Sequence, residues 1–207
     1  MSNKITGLYA IADTRALDDN RLVPAIRAAI EGGAHIIQYR DKTEDAPRRE
    51  RQARALAALC REMKTVFLVN DDVGLARRTD ADGVHLGRDD ASLADARALL
   101  GPQALIGVSC YNELERAERA QADGANYVAF GSFFPSRTKP NAVRADTRLL
   151  EQARQTLRIP IVAIGGITPE NAPSLIEAGA SALAVIDGVF GGGDMRAAAA
   201  RYRALFP

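Results

Sequence analysis

The chain has 207 residues, enough to bury a substantial core in one domain or two small ones. It is 47% hydrophobic and 26% charged with a formal net charge of +1, so no basic field steers it towards nucleic acid and any anion must be held by a local site. No stretch has the length and apolar character of a signal peptide or a membrane span, which leads us to expect a cytoplasmic protein. Cys60 and Cys110 lie far apart without a C-x-x-C partner and read as free thiols, a disulfide being the alternative.

Short apolar, β-branched runs alternate with stretches of helical spacing along the whole chain. The first run covers residues 5–12, followed by Leu22, Ile26 and Ile30 at helical spacing and by Gly33 as a stop signal. The second, residues 35–40, continues into Asp41 and Lys42. Alternation along a strand puts Gln38, Arg40 and Lys42 on the face that carries Ile36, so an apolar strand ends in an amide and two cations. That pattern suits an anion at the strand's end, since Arg offers a planar fork and Lys a mobile charge; a solvated rim is the plainer reading. The third run, residues 66–70, ends in Asn70-Asp71-Asp72, and the fourth, residues 83–86, leads into Gly87-Arg88-Asp89-Asp90. Carboxylates at neighbouring strand ends are hard oxygen donors of the kind Mg²⁺ takes. Asp72 and one of Asp89 and Asp90 would equally serve as helix caps.

Leu93, Ala96, Leu99 and Leu100 have helical spacing and stop at Gly101; the fifth run, residues 105–109, ends at Ser109. After a helix stopped by Gly124, the sixth run, residues 127–131, opens into a segment with Ser136, Thr138 and Lys139. Two hydroxyls and a cation there suggest a phosphate grip, and residues 135–146 lack apolar periodicity, as a loop that closes over substrate would. Leu149, Leu150, Ala153 and Leu157 then predict a helix. The seventh run, residues 161–165, passes through Gly165-Gly166 to Thr168, expected as a helix N-cap with Pro169 at the first helical position. A helix stopped by Gly179 precedes the eighth run, residues 182–186, which leads to Asp187; an Ala-rich helix from Met195 to Leu205 ends the chain. His35 and His85 read as buried strand residues, each set back from the strand ends.

Eight strand–helix units in series predict an α/β fold, a single (β/α)8 TIM barrel over residues 1–207, with a doubly wound open sheet as the competing arrangement. A barrel places its chemistry at the C-terminal ends of the strands, and its usual phosphate site in the loops after strands seven and eight.

In this order, Gln38-Tyr39-Arg40-Asp41-Lys42, Val69-Asn70-Asp71, Gly83 to Asp90, Gly107-Val108-Ser109, Ser136-Arg137-Thr138-Lys139 and Ile164-Gly165-Gly166-Ile167 resemble the thiamin-phosphate synthase family. The resemblance implies condensation of hydroxymethylpyrimidine diphosphate with a thiazole phosphate, giving thiamin phosphate and pyrophosphate with Mg²⁺ as cofactor. It assigns Gln38, Tyr39, Arg40, Asp41, Lys42 and Asn70 to the pyrimidine diphosphate, and Asp71 and Asp90 to the metal. Ser109 and Lys139 would contact the diphosphate, and with Arg40 and Lys42 would stabilise the leaving group. Ser136, Arg137, Thr138, Gly166 and the backbone at Ile186 and Asp187 would hold the thiazole phosphate. Family members often carry a small hydroxyl residue where Asp187 stands, and a His where Tyr111 stands. The related thiazole tautomerases, whose proton transfer we associate with a His in that region, are the alternative enzyme. A non-catalytic thiazole-phosphate sensor is the alternative class.

Overall fold

In the computed structural model, which describes residues 5–136 and 142–207, the eight apolar runs are eight parallel strands. They are β1 (Gly7–Asp13), β2 (Ala34–Arg40), β3 (Val66–Asn70), β4 (Gly83–Leu86), β5 (Leu105–Tyr111), β6 (Tyr127–Gly131), β7 (Ile161–Ile164) and β8 (Ala182–Val185). Each pairs with the next and β8 pairs with β1, so the sheet closes into a barrel in sequence order. The open doubly wound alternative is excluded. Strand ends differ from expectation by a few residues, most usefully at β1, which runs on to Asp13 and pairs it with Arg40 at the end of β2. β5 also runs on, through an irregular step in its pairing with β6, to Tyr111.

The connecting helices are α1 (Asp19–Glu31), α2 (Ala46–Glu62), α3 (Val73–Arg78), α4 (Leu93–Leu100), α5 (Leu114–Ala122), α6 (Thr147–Thr156) and α7 (Ala172–Glu177). A short α8 (Asp187–Phe190) and the terminal α9 (Met195–Arg203) follow β8. Short polar side chains start several of them by accepting from exposed backbone N–H groups: Asp18 for α1, Asp45 for α2, Asp72 for α3, Asp146 for α6 and Asp194 for α9. Ser92 caps α4, so neither Asp89 nor Asp90 does, and both are left for other work. Thr168, expected as the cap of α7, instead starts a turn in which its N–H is held by the Asn171 side chain; the helix begins four residues later. Gly33, Gly101, Gly124 and Gly179 follow helix ends with φ of 102°, 86°, 92° and 120°.

Strand alternation divides the core into two. Tyr9, Ile11, Ile36, Leu68, Tyr127, Ala129, Val162, Ala182 and Ala184 fill the barrel, while Leu8, Ala10, Ile37, Tyr39, Phe67, Val69, Val84 and Leu86 pack outward against the helices. The large Tyr127 ring fits inside because β5 offers it Gly107: a Cβ there would stand 1.9 Å from the ring. Among the described residues no helix is long and apolar enough to cross a membrane. Cys60 and Cys110 are buried and unpaired.

Candidate active site

The C-terminal ends of the strands surround a cavity of about 790 Å³. β2 contributes Gln38 and Arg40, β3 Asn70, β4 His85, β5 Ser109 and Tyr111, the loop after β6 Ser136, the turn after β7 Gly166, and the end of β8 Ile186 and Asp187. Residues from seven strands or the turns that follow them thus meet around one space, and all but His85 and Tyr111 are expected there from the sequence. Its lower wall is apolar, made by Ile11, Ala129, Val162, Ile164 and Ala184.

Strand β2 shows why only alternate residues of its motif face this space. Gln38 donates to Tyr9 inside the barrel, and Arg40 reaches Asp13 at 2.5 Å. Tyr39 lies between them and must point the other way. It is 1% exposed and donates from its hydroxyl to Gln52 of α2 at 2.6 Å and to Asp41 at 3.2 Å. Asp41 is equally occupied outside the barrel, accepting from the Thr43 N–H at 2.7 Å. Burial raises the Asp41 carboxyl, but this N–H and the neighbouring hydroxyls outweigh it and hold the group below the ordinary range. The side chains of Tyr39 and Asp41 therefore brace the β2 end against α2 and leave the cavity to Gln38 and Arg40.

Two groups of charge sit at the mouth. On β1, Asp13 accepts from Arg15 Nε at 3.0 Å and Nη2 at 2.7 Å, and from Arg40 as well. Desolvation works against its charge, yet the Arg15 hydrogen bonds and both guanidinium charges keep it below the ordinary carboxylate value. Arg40 is thereby held in place, and Asp13 with its two arginines carries one net positive charge. Arg15, which sequence reasoning overlooked, also faces the Asp187 charge, so the carboxylate standing where the family often has a hydroxyl has a local counter-ion.

The second group is Asp71 and Asp90, from the ends of β3 and β4. Asp71 has a left-handed backbone, φ 64°, unusual for a residue with a side chain and of the kind that concentrates at functional sites. It accepts from Asn70 at 2.6 Å and pairs with Lys42, while Asp90 accepts from the Gly87 N–H at 2.7 Å. Burial, and then the adjoining Asp71, push the Asp90 carboxyl above its ordinary value. A carboxylate pushed up by burial and by the carboxylate beside it marks a donor set short of positive charge. Among the described residues no group of three or more His, Cys, Asp and Glu is gathered to hold a metal. Mg²⁺ nonetheless fits this pair, because it binds through one or two carboxylates and takes its other oxygens from water and phosphate.

Across the mouth, the turn after β7 holds Gly165 and Gly166 at φ 106° and 62°. A Cβ on Gly165 would come within 2.0 Å of the Ser132 Oγ, and one on Gly166 within 2.2 Å of the Pro135 carbonyl. Both glycines are needed for the loops after β6 and β7 to lie together. Arg137, Thr138 and Lys139 lie outside the described residues; Ser136, next to them, lines the cavity. Tyr111, with φ 55°, also lines it, its hydroxyl accepting from the Arg88 N–H at 3.3 Å and its ring facing the Arg88 guanidinium.

The histidines part company. His35 is exposed near the N-terminal end of β2, contrary to expectation, while His85 is 9% exposed and lines the cavity. Its ring bonds Tyr127 through Nδ1 at 2.9 Å and Ser109 through Nε2 at 2.8 Å. The signal was present: Val84 and Leu86 face the helices, so His85 faces the interior, and on a strand only four residues long it lies one place from the end.

The thiamine monophosphate synthase family model matches residues 8–189. The thiamine-phosphate synthase of Nitrosococcus oceani is 54% identical over 207 residues, covering 100% of this chain and 95% of that protein. That of Thioalkalivibrio sulfidiphilus is 51% identical over 203 residues, 98% of this chain and 96% of its own. Among solved structures, thiamine phosphate pyrophosphorylase from Pyrococcus furiosus superposes with a TM-score of 0.89 at 36% identity, covering 98% of this chain and 96% of that one.

Proposed function

The chain belongs to the thiamine monophosphate synthase family and carries that family's transferase activity, and from this premise we propose how its residues divide the work. The supporting observation is the convergence on one cavity of Gln38, Arg40, Asn70, Ser109, Ser136, Gly166, Ile186 and Asp187, with Asp71 and Asp90 paired beside it.

On this proposal the hydroxymethylpyrimidine diphosphate lies towards β2 and β3. Gln38 and Asn70 meet the ring, and Arg40, Lys42, Ser109 and Lys139 meet the diphosphate. Tyr39 and Asp41 serve by holding the β2 end in place. The thiazole phosphate lies towards β7 and β8, against Ser136, Arg137, Thr138, Gly166 and the backbone at Ile186 and Asp187. Asp71 and Asp90 would hold Mg²⁺, which when bound supplies positive charge to the diphosphate oxygens.

The chemistry asks for charge placement more than for acids and bases. The bond from the pyrimidine methylene carbon to the diphosphate oxygen breaks, and its electron pair departs with pyrophosphate. The thiazole nitrogen then donates its lone pair to the cationic carbon, and no net proton transfer is needed. Arg40, Lys42 and Lys139 oppose the charge growing on the leaving group, and Arg40 and Lys42 are held before reaction by their ion pairs with Asp13 and Asp71. The apolar wall of Ile11, Ala129, Val162 and Ile164 keeps water from the cationic carbon. We further infer a reducing, cytoplasmic setting, which two buried free thiols support.

The test is pyrophosphate release from both phosphorylated substrates, with Mg²⁺ and then with chelator. Mg²⁺-dependent release that needs the thiazole phosphate, with thiamin phosphate formed in step, is expected. Thiazole-phosphate binding without release would return the choice to a tautomerase or a sensor.

A further inference from the structure

A line of five polar side chains crosses the barrel interior beneath the mouth. Gln38 donates its amide N–H to the Tyr9 hydroxyl at 2.6 Å, and the Tyr9 and Tyr127 hydroxyls are 2.9 Å apart. Tyr127 meets His85 Nδ1 at 2.9 Å, and His85 Nε2 meets the Ser109 Oγ at 2.8 Å. Tyr127 is fully buried, and its ring is stacked on the imidazole with centroids 5.6 Å apart. The line links strands β2, β1, β6, β4 and β5 and ends on a hydroxyl that lines the cavity.

Hydrogen-bond counting sets its direction. A phenol has one proton, and a neutral imidazole has one donor and one acceptor nitrogen. Because Tyr9 accepts from the Gln38 amide, its own proton goes to Tyr127. Tyr127 then donates to His85 Nδ1, and His85 carries its proton on Nε2 and gives it to Ser109 Oγ. Run the other way, Tyr9 would accept from both neighbours, and its own proton would find no acceptor among the described residues. A buried hydroxyl left in that state is costly. Burial also holds both phenols in their neutral, donating form.

We propose that this line is a one-way relay that fixes His85 as the Nε2–H tautomer and so turns the Ser109 hydroxyl proton out towards the departing diphosphate, making His85 and Tyr127 positioning residues for the transfer. This rests on Ser109 meeting the diphosphate, as proposed above. The physical effect is a choice between two faces of one hydroxyl. With its oxygen already accepting from His85, Ser109 offers a phosphate a charge-assisted O–H donor. In the opposite tautomer its proton would point back at the ring, and its lone pairs would face the anion.

The tautomer is measurable without substrate. The chain has two histidines, so ¹⁵N spectra of histidine-labelled protein contain two rings, and His35→Gln identifies the exposed one. At neutral pH, His85 is expected with a protonated Nε2 and a bare Nδ1. Gln38→Glu, whose carboxylate only accepts, is expected to reverse the line and move the proton to Nδ1. Protonation of Nδ1 in the unmodified protein would overturn the proposal.

The functional half is tested with inorganic pyrophosphate and with turnover. Tyr127→Phe and His85→Asn are expected to weaken pyrophosphate binding and to lower kcat about tenfold to a hundredfold, the worth of one hydrogen bond to a charged group. KM for the thiazole phosphate should not move. His85→Gln, whose amide N–H falls where Nε2–H stood, should be far more active than His85→Met, which has similar volume and no N–H; a merely space-filling role would not separate Gln from Met. Equal activity of the Gln and Met variants, or unchanged pyrophosphate affinity in His85→Asn, would overturn the relay's role. Failure of the unmodified enzyme to release pyrophosphate would instead strike the assigned activity and leave the spectrum as it stands.

Discussion

Asp90→Asn separates the stability of the acidic pair from its function. The Asp71 charge acts against ionisation of Asp90; for scale, any two like charges about 4 Å apart repel by about 4 kcal/mol at an effective dielectric of about 20. Lys42 on Asp71, with the N–H groups from Asn70 and Gly87, offsets most of this, so the residual cost is about 0.5–1 kcal/mol. An Asn at position 90 keeps an oxygen for the Gly87 N–H and turns an amide donor towards Asp71. The metal-free variant should therefore melt about 1–4 °C higher than the parent at pH 7.5, given the usual conversion for a chain of this size. The pH dependence has a definite sign. Asp90 has a folded pKa above its unfolded value, so the parent recovers stability as pH falls through that raised value. The variant's advantage must shrink on acidification. Mg²⁺ reverses the ranking, since a ligand at a hundred times its Kd stabilises by about 2.7 kcal/mol and the variant loses a carboxylate for it. Turnover should fall about a hundredfold or more. Thermal melts at pH 7.5 and pH 4, with Mg²⁺ and with chelator, read all of these. A variant that melts below its parent in chelator would refute the repulsive pair and the metal assignment built on it.

Three further changes test other parts of the site. Lys139→Ala should lower kcat about a hundredfold with the melting temperature unchanged; undiminished turnover in steady-state assays would remove Lys139 from the mechanism. Tyr39→Phe breaks the bond to Gln52 and should cost about 1 kcal/mol in denaturant unfolding, with KM for the pyrimidine diphosphate unaltered, since that hydroxyl faces α2. A large rise in KM would show that Tyr39 reaches substrate. Gly107→Ala sets a methyl group against the Tyr127 ring and should destabilise by about 1–3 kcal/mol; an unchanged unfolding midpoint would contradict the close contact inside the barrel.

Sequence alone determined the barrel and most of its mouth, because both are written in local periodicity. Apolar runs of strand length mark β1 to β8, and the polar residues at their ends fall on the C-terminal rim once the strands are parallel. Alternation even chose correctly between neighbours in β2, placing Gln38 and Arg40 with Ile36 on the inner face. What it left undecided depends on partners distant along the chain. Only the folded barrel brings Arg15 and Arg40 together on Asp13, or leaves Asp90 uncapped because Ser92 starts α4. His85 looks like a buried strand residue until Tyr127, 42 positions away, and Ser109, 24 positions away, close on its two nitrogens. Periodicity tells which face a side chain takes, whereas the partner it meets there is set by closure of the barrel, which joins strands that no local pattern connects.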